Sequence, residues 1–159
     1  MISKENKRLE TILIVLIISI GLIPRLWRIN TDLQIHFDQG LHSMGIWNIW
    51  HEHRFSLLGH QTDTDGIFHG PLYYWFMTPA YILGKGDPSA GSIFQIFFDA
   101  LGMVFLFQLC KRIFNSKSGL TAIVIYSVSY GVASFARWLN NVTPTLPLSA
   151  IFLYYLHRS

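Results

Sequence analysis

Long apolar stretches alternate with short polar ones along this 159-residue chain. Several of the stretches approach the roughly 20 residues that a helix needs to cross a bilayer. We predict transmembrane helices over residues 9–27, 89–110, 119–136 and 144–156. The first follows basic residues, as a secretory signal would, but it passes into bulky and basic residues instead of a small-residue cleavage site. We therefore predict a retained first helix and an all-α integral membrane protein with about four spans.

The loop over residues 29–88 contains two shorter apolar segments. Residues 38–54 carry Trp47 and Trp50 among polar side chains, a pattern typical of a helix at the membrane interface. Residues 70–83 are apolar and aromatic but shorter than the roughly 20 residues of a span. We therefore predict that this loop carries two short interfacial helices.

Basic residues lie on one side of the predicted spans. Lys7 precedes the first span, Lys111 and Arg112 separate the second from the third, and Arg158 follows the fourth. Lys and Arg near span ends favour the cytoplasmic side. Both termini are therefore predicted to be cytoplasmic and the loop 29–88 to lie outside.

The composition narrows the classes of function. The chain is 51% hydrophobic and 13% charged, with a positive mean hydropathy, which is typical of a membrane protein. Its net charge of +3 does not indicate a nucleic-acid partner, because the cations lie at span ends and form no basic stripe. The single cysteine, Cys110, excludes a disulfide within the chain.

Candidate chemistry concentrates in the loop, which holds six of the seven histidines. Asp38 follows the first span at the predicted start of a helix, where a carboxylate partly withdrawn from water can act as a general base or a metal ligand. Capping of the helix is the alternative role. His69 precedes Gly70 and Pro71 at the second short helix, where an imidazole can bind a phosphate, orient a carboxylate or make an interfacial hydrogen bond.

We predict no dedicated metal site and no certain cofactor. His51 and His53 are two residues apart, so their rings diverge on a helix, unlike the four-residue spacing of a zinc-binding pair. A divalent metal ion shared with Asp38 is the alternative.

Two charged residues belong to the predicted spans. Asp99 lies in the middle of one, where a charge costs on the order of 2.5–3.5 kcal/mol, so it must face protein or a wet cavity. It is either the buried partner of a cation or a neutral acid in a helix-packing hydrogen bond. Arg137 ends the third span on the outer side, where a guanidinium can bind a lipid phosphate or anchor the helix to headgroups.

In order and spacing, these segments resemble the GT-C-fold glycosyltransferases that use polyprenyl-phosphate sugars, the protein O-mannosyltransferase and aminoarabinose-transferase-like family. The resemblance rests on the motifs at 37–40 (FDQG), 68–75 (FHGPLYYW), 86–88 (GDP), 111–114 (KRIF) and 136–141 (ARWLNN). Many members carry an acidic residue shortly after the arginine of the last motif, where this chain has Asn140 and Asn141. Members also continue through further spans, so we expect residues 1–159 to form a single membrane domain, the N-terminal part of a longer enzyme.

The resemblance implies a mannosyltransferase-like enzyme that moves a hexose or pentose from a polyprenyl-phosphate donor to an acceptor at the outer face of the membrane. It implies that Asp38 is the catalytic base and that Arg137 contacts the donor phosphate. We predict substrate binding by His69, Tyr73, Arg137 and Asn141. The expected partners are the donor, the bilayer and a protein, lipid or glycan acceptor, without nucleic acid, in a multi-pass protein of a prokaryotic plasma membrane.

The alternative function is non-enzymatic: a transporter fragment, or a membrane subunit whose acidic loop docks a partner. A transporter places its polar groups in the middle of the membrane between broken helices. Most polar residues of this chain lie in the predicted outer loop, and Asp99 is the residue that favours the alternative.

The predicted topology can be tested by labelling introduced cysteines from outside the cell. Thr64→Cys should be modified because it lies in the outer loop. Ser116→Cys should stay unmodified because it lies between the second and third spans, on the cytoplasmic side. The opposite labelling pattern would contradict both the topology and the assignment of the site.

Overall fold

The structure is a computed structural model that describes residues 4–33 and 35–158. These residues form seven helices: α1 Lys4–Leu26, α2 Phe37–His51, α3 Leu72–Leu83, α4 Pro88–Ile113, α5 Ser116–Val128, α6 Tyr130–Arg137 and α7 Thr145–Arg158. The described residues contain no strand longer than an isolated bridge between Gln61 and Phe68. The all-α prediction is therefore confirmed.

Two helices are long and apolar enough to cross a membrane, over Lys7–Leu26 and Pro88–Ile113. Helices α5 and α6 together reach such a length but are bent by 66° at the break between them. Helix α7 has 14 residues, fewer than the roughly 20 of a typical span. The described residues therefore provide two candidate spans, or three if α5 and α6 form one broken span, and the count of four stays a prediction.

The chain divides into two units. The first comprises residues 1–27, 95–137 and 143–159, and the second comprises residues 28–94 and 138–142. The first unit therefore holds the long apolar helices, apart from the start of α4. The second unit holds the two short helices of the loop.

In the first unit, apolar residues of α1, α4 and α5 form the core, with Met103, Phe107 and Ile123 fully buried. Helices α1 and α5 approach closely at Gly21, where an added Cβ would lie 2.8 Å from Ser127 Oγ. Small residues at such a contact let helix backbones pack tightly in a membrane. This contact brings the next turn of α1, which carries Arg25, to the end of α5.

A buried ion pair joins α1 to α4. Arg25 Nε donates to Asp99 Oδ2 at 3.0 Å, and the two side chains are 0% and 3% exposed. The hydroxyl of Tyr126 donates to the other carboxylate oxygen. Of the two roles predicted for Asp99, the structure shows the buried partner of a cation.

The Arg25 guanidinium also binds backbone carbonyls next to the break between α5 and α6. Arg25 Nη1 donates to the carbonyls of Gly21 and Ser127, at 2.8 and 3.2 Å, and Nη2 donates to the carbonyl of Tyr126 at 3.4 Å. Carbonyls at the end of a helix lack a partner within the helix, and leaving them unpaired in a membrane is costly. Arg25 therefore satisfies carbonyls at the end of α5.

The second unit is built on the packing of α2 against α3. Its core comprises one residue of α2, three tyrosines and one methionine of α3, and one residue of the turn after α6: Ile46, Tyr73, Tyr74, Met77, Tyr81 and Leu139. Helices α2 and α3 coincide closely with the two short helices predicted over 38–54 and 70–83. Their position at the membrane interface stays a prediction.

We expect Asp99→Leu to lower the free energy of unfolding by about 3–5 kcal/mol, because it leaves the Arg25 guanidinium buried without its counter-ion. Adding Arg25→Met should recover part of the loss, since no unpaired charge then remains. Reversible unfolding in mixed detergent micelles measures both values.

A matched control exists on the same two helices. Lys111 and Glu10 also pair α4 with α1, at 2.7 Å, but the lysine side chain is 33% exposed. Glu10→Gln should therefore cost only about 0–1 kcal/mol. A double variant that loses the full sum of its two single losses would contradict the coupling of Arg25 and Asp99.

Candidate active site

A hairpin turn in the second unit brings His60 and His69 together. Gly59 N donates to His69 O at 2.8 Å, and His69 N donates to His60 O at 3.0 Å. An added Cβ at Gly59 would lie 2.9 Å from the His69 carbonyl oxygen, so this approach requires glycine. The imidazole rings of His60 and His69 consequently lie with their centroids 4.5 Å apart.

A third imidazole, His42 of α2, lies beside His60. Its ring centroid is 4.6 Å from that of His60 and 4.9 Å from that of Tyr73. The residue is 3% exposed, and in the described part of the chain neither ring nitrogen has a hydrogen-bond partner. Burial, with a smaller contribution from His60, lowers the pKa of His42 to about 4. His42 is therefore neutral near pH 7.

The imidazoles of His60 and His69 each contact a neighbouring side chain through Nδ1. Asn141 Nδ2 lies 3.3 Å from His69 Nδ1, and the Tyr74 hydroxyl lies 3.5 Å from His60 Nδ1. Burial raises the pKa of Tyr74, so its hydroxyl keeps its proton and can donate. Burial also lowers the pKa of His60, with a smaller contribution from His69. His60 and His69 are both half-buried, so solvent reaches the cluster from one side.

Asp38 is the second residue of α2 and is exposed. The cap position belongs to His36, whose backbone N–H donates to Gln39 Oε1 at 2.8 Å. The expected withdrawal of Asp38 from water and its alternative role as the cap are therefore both wrong. Asp38 instead lies one helical turn before His42. Its negative charge is close enough to offset part of the lowering of the pKa values of His42 and His60.

Three of the four predicted substrate-binding residues belong to this cluster. His69 and Asn141 are in contact, and the ring of Tyr73 packs against that of His42. Burial raises the pKa of Tyr73 far above its usual range, so its hydroxyl stays protonated. Arg137 belongs to the first unit, where its Nη1 lies 3.5 Å from the Pro24 carbonyl oxygen. That contact joins the end of α6 to the end of α1, a role that was not predicted for Arg137.

Sequence reasoning missed His42 and His60. The spacing of four residues between Asp38 and His42 predicts that they share one helix face, and it was a usable signal. His60 had no comparable signal, because its place depends on the pairing of residue 59 with residue 69. Among the described residues, no group of three or more His, Cys, Asp or Glu side chains is arranged to hold a metal ion.

The long apolar helices are those of a membrane protein. The exposed carboxylate and the cluster of imidazoles form a polar site outside its candidate spans. Residues 68–159 match the family described as dolichyl-phosphate-mannose-protein mannosyltransferase. The match covers more than half of the chain, and the chain belongs to this family, a group of membrane glycosyltransferases of the GT-C type. No curated protein and no solved structure matches the chain. Asp38 and His60 precede the matched residues, whereas the four predicted substrate-binding residues lie within them.

The buried neutral state of His42 predicts a specific dependence of stability on pH. Below about pH 6.5 the unfolded chain binds a proton at His42, whereas the folded protein does not until about pH 4. The free energy of unfolding should therefore fall as the pH decreases from 6.5 to 4, by about 3 kcal/mol from this residue. His42→Leu should remove that part of the decrease, as measured by unfolding at several pH values.

A control for this measurement is the exposed His53 of the same unit. His53→Asn should leave the pH dependence unchanged, and asparagine tolerates the positive φ of 51° at this position. If His42→Leu kept the full decrease of the parent protein, the buried neutral imidazole would be refuted.

Proposed function

We propose that this membrane glycosyltransferase transfers a sugar from a polyprenyl-phosphate donor to an acceptor hydroxyl at the outer face of the membrane. The observation that carries the proposal is the polar cluster of the second unit, which holds Asp38, His69, Tyr73 and Asn141 together with the buried imidazole of His42. The family match supports a donor of the polyprenyl-phosphate class.

Asp38 is the proposed general base. An acceptor hydroxyl is a weak nucleophile near neutral pH, and a carboxylate that removes its proton as the new glycosidic bond forms contributes about 10²–10⁴-fold. The exposure of Asp38 supports this role, because an acceptor can reach the carboxylate without rearrangement of α2. The bond between the sugar and the phosphate oxygen breaks, and both of its electrons stay on the phosphate.

Arg137 and His69 are the proposed ligands of the donor. A guanidinium binds phosphate oxygens bidentately and offsets the charge that develops as the phosphate leaves. The contact of Arg137 with the Pro24 carbonyl oxygen, at 3.5 Å, uses Nη1. His69, held by Asn141, orients the site, and Tyr73 lines it.

The transporter alternative loses its main support. Asp99 was the residue that favoured a polar pathway in the middle of the membrane. Its carboxylate instead pairs with Arg25 and accepts from Tyr126, and it is buried. A residue engaged in this way serves the packing of the helices.

The proposal predicts different defects for its two charged residues in the complete enzyme. Asp38→Asn should abolish turnover while donor binding is largely kept, because the amide cannot accept the proton. Arg137→Ala should chiefly weaken donor binding, because a phosphate ligand is lost, and His69→Ala should give an intermediate loss of turnover. Rates of sugar transfer and donor binding, measured separately on reconstituted protein, test this.

Asp63→Asn provides a matched control, since Asp63 is an exposed carboxylate of the same unit to which the proposal gives no role. It should transfer sugar at the parent rate. Near-normal turnover by Asp38→Asn, in protein shown to be folded and inserted, would end the assignment of Asp38 as the base.

A further inference from the structure

His60 and His69 each have one ring nitrogen that is held and one that is not. An amide nitrogen can only donate, so Asn141 Nδ2 makes His69 Nδ1 the acceptor and leaves the ring proton on Nε2. The Tyr74 hydroxyl keeps its proton and donates to His60 Nδ1 in the tautomer that carries the His60 ring proton on Nε2. In the described part of the chain, neither Nε2 atom has a hydrogen-bond partner.

The two rings that carry these N–H groups lie close together. Their centroids are 4.5 Å apart, the rings are inclined by 37°, and both residues are half-buried, so the pair is partly exposed to solvent. The ring of His42, whose centroid lies 4.6 Å from that of His60, is buried and neutral. Two adjacent N–H donors are suited to the oxygens of a single anionic group, and a charged ring strengthens such a hydrogen bond.

The charges around His60 determine when it is protonated. The titratable groups that face it are Asp38 and His42 of α2, His69 of the turn and Tyr74 of α3. Burial and the repulsion of His69 lower the pKa of His60, and Asp38 offsets part of this effect. A bound anion would favour the charged imidazole further. Binding of an anion and uptake of a proton by His60 should therefore be coupled.

We propose that His60 and His69 bind one phosphate group through their Nε2 hydrogens, and that His60 takes up a proton when the phosphate binds. The proposal rests on the proposed function, which makes the phosphate of a polyprenyl-phosphate sugar the ligand. It assigns to His60, which lies outside the matched family region, the role of a substrate-binding residue. The reaction itself gains no new step, since the proton on His60 is released when the phosphate departs.

The test measures binding of methyl polyprenyl phosphate to the protein in phosphatidylcholine nanodiscs at pH 5.5 and pH 8. This phosphodiester keeps a single charge over that range and carries no sugar to be transferred, so binding is separated from turnover. The parent protein should bind it about tenfold more tightly at pH 5.5, the gain expected from one charge-assisted hydrogen bond.

Two variants separate the hydrogen bond from the charge. His60→Gln keeps an N–H donor in a similar place but cannot bind a proton, so its affinity should be nearly the same at both pH values. His60→Ala should bind about tenfold more weakly than the parent at pH 5.5. His53→Asn is the matched control and should behave as the parent. A thermal unfolding midpoint for each variant shows that the protein is folded.

If His60→Gln does not fold, His60→Asn replaces it, because it also offers an N–H donor and cannot bind a proton. Parent-like pH dependence in His60→Gln, or in His60→Asn where that variant replaces it, would overturn the proposal. So would equal competition by phosphatidylglycerol, which would assign the pair to lipid headgroups. If the protein transfers sugar but its phosphodiester binding does not depend on His60, this inference alone is refuted. If the protein binds no polyprenyl phosphodiester at all, the proposed function is refuted as well.

Discussion

The pairing of Arg25 with Asp99 is the constraint on which the first unit depends. Two charges buried among apolar helices are tolerable only together, because removing either leaves the other desolvated without compensation. The pair fixes α1 against α4, and the remaining guanidinium hydrogens bind carbonyls of α1 and α5. One side chain therefore sets the relation of three helices. It also stabilises the end of α5, after which the chain turns by 66° into α6 and Arg137.

The second unit uses a different principle. Its core is largely aromatic, and its polar groups are gathered beside that core instead of being excluded from it. The buried imidazole of His42 has no hydrogen-bond partner in the described part of the chain, a state that costs stability. Such costs are typical of functional sites, where polar groups are arranged for a ligand. Asp38 lies at the exposed edge of the same group, where a reacting hydroxyl can reach it.

Much of the fold follows from local properties of the sequence. The lengths of the apolar stretches predicted the long helices α1 and α4. Tryptophans among polar residues predicted α2, and a short apolar and aromatic stretch predicted α3. The break between α5 and α6 was not predicted, because the residues around Ser129 include no proline and the break is supported by Arg25, about a hundred positions away. The sequence indicated that Asp99 needed a buried partner or a packing bond. It could not identify Arg25, which resembled the other basic residues at span ends.

The candidate site likewise has residues that the sequence could predict and features that it could not. Asp38, His69, Tyr73 and Asn141 were proposed from motifs, and all four belong to the second unit. Exposure of Asp38 could not be predicted, because it depends on how α2 packs against α3. His60 could not be predicted because it meets His69 only through the backbone bonds of the turn. Long-range pairing is not encoded in any single stretch of sequence, whereas helix length and amphipathicity are.

The central claim is that the polar cluster serves transfer of a sugar from a polyprenyl-phosphate donor. The most direct measurement follows release of polyprenyl phosphate from a polyprenyl-phosphate sugar by the purified complete enzyme in liposomes, with mass spectrometry of both lipid and acceptor. The account predicts that polyprenyl phosphate accumulates in step with glycosylated acceptor. Protein that is folded and inserted, yet neither binds nor consumes donors of this class across a panel of hexose and pentose sugars, would contradict it.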